Sequence, residues 1–398
     1  MKKIVIVIVF MFSLQPLATQ ADNDVQAAFI REGNLWTKIH SREQQITTQG
    51  KIEYPPQWSH DGKWILYQIM VSDYHHEIWV YNMGSKKHKR IFEQGSNPKW
   101  SPAKNIIAFN DGGGLSISDL KGFRNVASGV DNYEWQPDGK GLIISSAANL
   151  RPDGWTNPVL YKIPVHQSLD MPVKEFFVIP KTLEKGDNKI ISINAGDFAF
   201  SPDQKWMSFI VSPTASWSMD SNMLCVLSSV GKDFTVLDEV ITHVTPPKWA
   251  HTKNILAYIA GGGRIVFGFK NKKLNTADFP AFTKAELTPA GFADFGFTWV
   301  DDLRFVVSRV KEAEWSNDPE ERPSPSLYKM SLSGETQKKI TDPPKGFGDE
   351  KPVFTAHVLT WLRISNDFSK SDVWIADQEG YGAKAWIKNV SSYSLFHK

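Results

Sequence analysis

The feature that most constrains this chain is an internal repeat. Residues 98–114 read PKWSPAKNIIAFNDGGG and residues 247–263 read PKWAHTKNILAYIAGGG, with ten of 17 positions identical at an offset of 149. Self-similarity at long range is the signature of an architecture that uses one structural unit several times. A shorter form of the pattern recurs throughout: an aromatic anchor, a tight turn, then an apolar run. The anchors are Trp58, Trp100, Trp135, Phe200, Trp249, Trp299 and Phe354, spaced by 42, 35, 65, 49, 50 and 55 residues.

The turns after the anchors include SHDGK at 59–63, SPAKN at 101–105, QPDGK at 136–140 and SPDQK at 201–205. Proline pre-sets φ at the second turn position, and Asp and Gly suit the next two, so each turn joins two antiparallel strands. The second strands (64–67, 106–109 and 304–307 among them) are rich in β-branched and aromatic residues. Third strands are expected at 78–81, 115–118, 160–163, 224–227, 265–268 (IVFG), 327–330 and 373–376, with a weaker fourth strand after each, as at 89–92. No segment carries a sustained helical period with capping signals. Four antiparallel strands per unit, repeated radially, predict an all-β chain folded as a single β-propeller, in which neighbouring blades cover faces that one sheet cannot bury alone.

Seven anchors predict seven complete blades. Residues 28–47 supply three further strands without an anchor strand, and 393–396 could supply the fourth. Pairing of N- and C-terminal strands would then close the ring and remove its free edges. The expectation is eight blades, or seven if the terminal pieces form none.

The N-terminus reads as an export signal. Met1-Lys2-Lys3 is basic, 4–17 is almost wholly apolar, and Thr19-Gln20-Ala21 offers a cleavage site. The apolar stretch is shorter than the roughly 20 residues a spanning helix needs. The expected division is a signal peptide over 1–21 and a propeller domain over 22–398. No cysteine stands near the cleavage site, so the exported chain is expected not to be lipidated, and no later segment reaches spanning length. The single cysteine, Cys225, cannot form an internal disulfide and lies in an apolar run, as a buried small hydrophobe would. The chain has 45 Lys and Arg against 43 Asp and Glu, and loss of Lys2 and Lys3 makes the counts equal. Such a balance, without a basic run, argues against nucleic acid as a partner.

The unit W-S-x-D-G-K-x-[IL]-x-[YF] followed by [IL]-[WY]-V, seen best at 58–67 with 78–81 and at 100–109, resembles the TolB-type β-propeller repeat, a WD-repeat-like family. The resemblance covers nearly the whole chain after the signal. It implies a propeller that serves as a docking surface or as the companion of a hydrolase domain. The first strands begin soon after the expected cleavage site, which leaves no place in this sequence for the α/β domain that precedes the propeller in TolB.

Function is expected in the loops joining second and third strands, which share one face of a propeller with the blade-to-blade connections. In blades 2 and 5 these loops are expected to be tight, built by Gly112-Gly113-Gly114 and Gly261-Gly262-Gly263. Elsewhere they are longer and start near Ser72, Ser146, Ser212, Ser308 and Ser365. Three long loops carry a tryptophan, Trp155, Trp217 and Trp315, and shorter ones carry Tyr74 and Phe368. Such side chains offer flat surface for a peptide or sugar, or else pack down onto their own loops. Arg151, Asp153, Asn157, Asp220, Asn222, Glu314 and Asp318 could assist.

His75-His76-Glu77 invites a metal reading, but neighbouring strand residues point to opposite faces, so no metal is expected. No cofactor is expected either, because nucleotide-binding glycine motifs are missing, as is the G-x-S-x-G elbow of α/β hydrolases. The sequence therefore predicts an exported, secreted or periplasmic, non-catalytic propeller. Its long-loop face would bind a protein or peptide of the cell envelope. The alternative is a polysaccharide-binding or polysaccharide-degrading propeller, since paired carboxylates leave no local motif.

Overall fold

In the computed structural model, which describes residues 25–214, 221–262 and 268–397, the repeat takes the form of antiparallel sheets. Six sheets have four strands each. A seventh has eight, made of two runs of four joined by the single pair Val240–Ala260. Numbered by anchor, blade 1 covers residues 57–92, blade 2 96–128, blade 3 132–178, blade 4 194–240, blade 5 248–286, blade 6 292–339 and blade 7 347–387. The chain is an all-β propeller.

The anchors explain why the unit recurs. The indole N–H of Trp100 donates to the Gln57 carbonyl at 3.2 Å, that of Trp135 to Lys99 at 3.1 Å, that of Trp249 to Ala199 at 3.2 Å and that of Trp299 to Lys248 at 3.1 Å. Each acceptor is the residue just before the previous blade's anchor. One side chain thus fills the gap between two blades and satisfies a backbone oxygen of its neighbour. Phe200 and Phe354 can fill the gap but cannot donate. The turns add a second tie. Ser59 Oγ donates to Asp61, which also accepts from Asn105 of blade 2 at 3.1 Å.

Strand alternation sends apolar residues to both faces. Ile65 and Tyr67 pack against Ala28, Ile30 and Leu35, whereas Leu66 and Val80 pack against Trp100, Ile107 and Phe109. Eight such clusters fill the spaces between successive sheets, and the last, with Val358, Val373 and Ile375, returns to Val25, Ala27 and Phe29. Each large side chain buried this way stabilises the ring by about 1.5–3 kcal/mol.

Closure follows the sequence expectation. Val25–Arg31, Asn34–Ile39 and Arg42–Gln45 form a sheet with Ser392–His397, which pairs antiparallel with the first of them from Val25–His397 to Ile30–Ser392. Trp58 donates to the Ser394 carbonyl at 3.4 Å and packs 5.5 Å from Phe396. Gly62, at φ +66°, has the Phe396 ring where a Cβ would stand, so a side chain there would wedge the joint open.

Three departures matter. The third strand of blade 5 is Lys273–Asp278, not 265–268, of which 265–267 lie outside the described residues. The second strand of blade 5 ends at Ala260 and the third starts at Lys273, so the glycine triplet expected to join them tightly does not. The spacing of 65 residues after Trp135 holds an added hairpin, Thr182–Lys185 with Asn188–Ile191, whose Leu183 and Ile190 join the blade 3–4 core. Ser308 stands inside the second strand of blade 6, Arg304–Lys311, and donates to the Asp349 carbonyl at 2.8 Å. The loop of blade 6 starts after that strand. The expected signal peptide, 1–21, lies outside the described residues.

Candidate functional site

In each blade the loop between second and third strands rises on the face where the first strands begin. Over blades 5, 6 and 7 these loops interlock. Phe269, in the long loop of blade 5, is 8% exposed and forms an isolated antiparallel bridge with Ala313 of the blade 6 loop. Its ring stacks on Trp315 with centroids 6.0 Å apart and planes 14° apart, and packs 5.5 Å from Phe295. Lys270 and Glu314 add an ion pair between the same two loops. The guanidinium of Arg322 lies 4.1 Å from the Trp315 ring centre and 5.7 Å from that of Phe368 in blade 7.

Arg322 is fixed by more than its aromatic neighbours. It donates to the Ser316 carbonyl at 2.9 Å and across to the Asn366 carbonyl at 2.6 Å. Asn366 returns two bonds, to the Pro319 and Arg322 carbonyls, both at 3.1 Å. The acidic run 318–321 serves this brace. Asp318 caps the short 3-10 turn Pro319–Glu321, accepting from the Glu320 N–H at 2.9 Å, with proline at the first helical position. A ladder of Phe295, Phe269, Trp315, Arg322 and Phe368 results, with Phe295 partly buried, Phe269 buried and the far end open, where Phe368 is 63% exposed.

Beside Phe295 lies a cavity of about 440 Å³, walled by Thr242–Pro246, Lys248, Phe295 and Glu350–Val353. Two buried ion pairs set the strands that frame it. Asp294 holds Arg309 in a two-point contact at 2.6 and 2.7 Å, and Asp349 holds Arg363 at 2.7 and 2.8 Å. Both aspartates are fully buried and close their own charge locally. Glu350, the next residue, has no hydrogen-bond or ion-pair partner among the described residues. Burial raises its carboxyl above the ordinary range and Asp349 adds to that, while Lys351 opposes it. Lys248, also in the lining, donates to the Phe297 carbonyl at 3.5 Å and lies 5.8 Å from the Phe297 ring centre, and burial lowers its ammonium below the ordinary range.

The other expected residues lie elsewhere. Trp155 pairs with Leu150 in a two-stranded hairpin of the blade 3 loop, with Arg151 and Asp153 exposed at its tip. Trp217 and Asp220 lie outside the described residues. Tyr74 is 91% exposed at the tip of blade 1. Asn157 and Asn222 hold backbone carbonyls of Ile179 and Val240. His75 contacts the Glu93 carbonyl, His76 packs edge-on to Tyr54, and Glu77 accepts from Trp79 and Arg90. No cluster of three metal-ligating side chains occurs among the described residues. Cys225 is buried, and burial raises its thiol pKa. Of the residues expected from the sequence, Trp315 and Phe368 meet in this ladder, and the sequence reading did not single out its other members, Phe269, Phe295 and Arg322. A signal for the framing strands was present in the paired Gly-Phe-x-Asp runs at 291–294 and 346–349.

No protein-family model matches the chain, and no curated protein matches it in sequence. Solved structures resemble it in fold. Dipeptidyl peptidase 4 of Porphyromonas gingivalis superposes with a TM-score of 0.57 at 11% identity, over 92% of this chain and 58% of that one. A puromycin-hydrolyzing peptidase of Mycobacterium tuberculosis gives 0.52 at 12% identity, over 85% and 53%. TolB of Acinetobacter baumannii gives 0.40 at 17% identity, over 66% and 62%. The chain spans only 53–62% of the length of these three structures.

Proposed function

We propose that this protein is an exported binding propeller, which we read as eight-bladed, and that it holds a protein or peptide of the cell envelope on its long-loop face. The docking region is centred on the loops of blades 5–7. The observation that carries this reading is the braced ladder from Phe295 to Phe368. Loops tied to one another by Arg322 and Asn366 lose little freedom when a partner docks, and a rigid aromatic edge offers contact area at low entropic cost. Trp155, Tyr74, Arg151 and Asp153, and Trp217 from the blade 4 loop, would extend the contact around the same face. In this reading the protein performs no chemistry of its own.

A pull-down from the host's envelope extract tests this, with the wild-type chain beside Phe368→Ser and Arg322→Ala variants verified as folded. One partner retained by wild type and lost by both variants is the expected result. Equal capture by all three would remove the blade 5–7 face from consideration. Retention or cleavage of an envelope glycan in a parallel assay would favour the polysaccharide alternative instead.

A further inference from the structure

Blades 6 and 7 carry the same buried ion pair, closed in one and open in the other. Gly-Phe-x-Asp stands at the start of each first strand, and its aspartate grips an arginine of the second strand, Arg309 in blade 6 and Arg363 in blade 7. Arg309 also donates from Nη1 to Gln337 Oε1, and its side chain is 1% exposed. Arg363 gives Nε and Nη2 to Asp349, but its Nη1 makes no hydrogen bond to a described residue, and its side chain is 13% exposed. A guanidinium fixes its N–H groups in a planar fork and keeps its proton, so an unused nitrogen is a permanent donor. The connectors into the two blades differ as well. Thr288 and Thr341 each accept a third-strand N–H of the preceding blade, from Leu274 and Leu327. Six positions separate Thr288 from Asp294, and eight separate Thr341 from Asp349. Pro344 and Phe347 of the longer connector wall a cavity of about 580 Å³ that has Arg363 in its lining, within the size range of small-molecule sites.

The rest of the lining narrows the ligand. The Arg363 guanidinium lies 3.8 Å from the Trp374 ring centre, so Asp349 holds it at one edge and an aromatic ring covers one face. Lys370 and Lys388 are exposed in the same lining, and neither ammonium has a hydrogen-bond or ion-pair partner among the described residues. Asp372 is the lining's one carboxylate among those residues, and it accepts from the Asn389 N–H at 2.8 Å. With Arg363 balanced by Asp349, two lysines against Asp372 leave a surplus of one positive charge. A carboxylate matches that surplus and the planar N–H edge, whereas a phosphate monoester, with nearly two charges, exceeds it. We propose that this cavity binds a carboxylate carried on a flat apolar group. The carboxylate faces Arg363 Nη1 and the two lysines, and the apolar part lies against Phe347 and Pro344. Lys370 and Ser371 belong to the loop that carries Phe368, so the cavity adjoins the proposed docking region. One source of this chemistry is the free C-terminus of a partner chain ending in an aromatic residue, and that source rests on the docking reading. The other is a free aryl-bearing acid, which does not.

Calorimetry on the purified protein with N-acetylphenylalanine, its amide and hydrocinnamate tests this. N-acetylphenylalanine should bind, and the amide should bind at least about tenfold more weakly, the loss of a charge-assisted contact. Hydrocinnamate binding as tightly as N-acetylphenylalanine supports the site with a free acid as its ligand, and weaker binding of hydrocinnamate supports it with a chain terminus. The double variant Lys370→Gln/Lys388→Gln alters only exposed side chains, and it should weaken N-acetylphenylalanine by about threefold or more while leaving the thermal midpoint in place. Arg363→Lys keeps a cation for Asp349 but loses the fork, and it should weaken binding about tenfold. The double variant reports on the site even where Arg363→Lys lowers the yield of folded protein. Phe368→Ser should bind N-acetylphenylalanine as wild type does, so the docking reading and this one fail separately. Absence of binding up to about 10 mM, weaker than any working affinity, overturns the proposal, as does equal binding of acid and amide or unchanged binding by the double variant.

Discussion

Blades 2 and 5 share ten of 17 residues from the first strand to the glycine triplet, yet they part company directly after it. In blade 2 the third strand starts at Gly114, and the loop is a turn of three residues. In blade 5 the third strand starts at Lys273, and the intervening chain reaches across to blade 6 and delivers Phe269. The shared residues are those that build the ring: the anchor, the turn and the second strand. Asn105 and Asn254, equivalent in the repeat, both reach the turn aspartate of the preceding blade, Asp61 and Asp203. The chain beyond the triplet is free to differ, because it adds to the loop face and not to the joints. The repeat constrains the scaffold and leaves the surface open to specialise.

The largest expected effect lies in the shared part. Trp100→Ala and Trp249→Ala should each cost about 3–5 kcal/mol in denaturant unfolding, the range for emptying a buried aromatic site. Trp249 should cost about 1 kcal/mol more, because its indole N–H is shared with Ser208 Oγ at 3.1 Å, a second bond that Trp100 does not make. Equal losses would mean that the second bond contributes nothing.

A smaller effect separates the triplets. Gly112, at φ +91°, has open space around a would-be Cβ, whereas at Gly261, φ +149°, that Cβ would run into the Asn271 carbonyl oxygen. Gly112→Ala should cost about 1 kcal/mol from the backbone alone, and Gly261→Ala roughly 2–3 kcal/mol, because the blade 5 loop must shift as well. Matching melting temperatures would show that the two triplets do the same work.

The smallest effect returns to the features both blades share. Burial would raise the Asp61 carboxyl, but hydrogen bonds from Ser59, Asn105 and Lys63 outweigh it and hold it well below the usual range. Asp203 is lowered in the same manner, with Asn254 in the place of Asn105. A depressed folded-state pKa contributes stability that is present above the unfolded value of about 3.9 and is lost as pH falls below it. Asp61→Asn and Asp203→Asn should each flatten the acid limb of the stability curve, by less than about 1 kcal/mol for groups this exposed. A steeper limb in either variant would contradict the sign.

The scaffold was legible because its physics is local. An anchor, a turn with Asp or Pro, and a run of β-branched residues succeed one another within about a dozen positions, and each step has its own residue preference. The closing strand was legible for the complementary reason, that three strands without an anchor strand ask for a fourth. Lys273–Asp278 was not legible. Its polar residues Lys273 and Asn275 dilute the signal of Leu274, Thr276 and Ala277, and the more apolar IVFG upstream outcompeted it. The site was half legible. Trp315 and Phe368 are conspicuous by type, but Arg322 and Phe269 matter only through partners on other blades.

The closing joint has a mechanical meaning besides its thermodynamic one. Residues 25 and 397 are direct partners at one end of an antiparallel pair. Tension applied between them would load the backbone bonds singly, as in opening a zipper, and not all together, as in shearing. The clasp that makes the ring hold as one body against heat therefore has one direction of pull from which it is weak, and that direction runs through its own two ends.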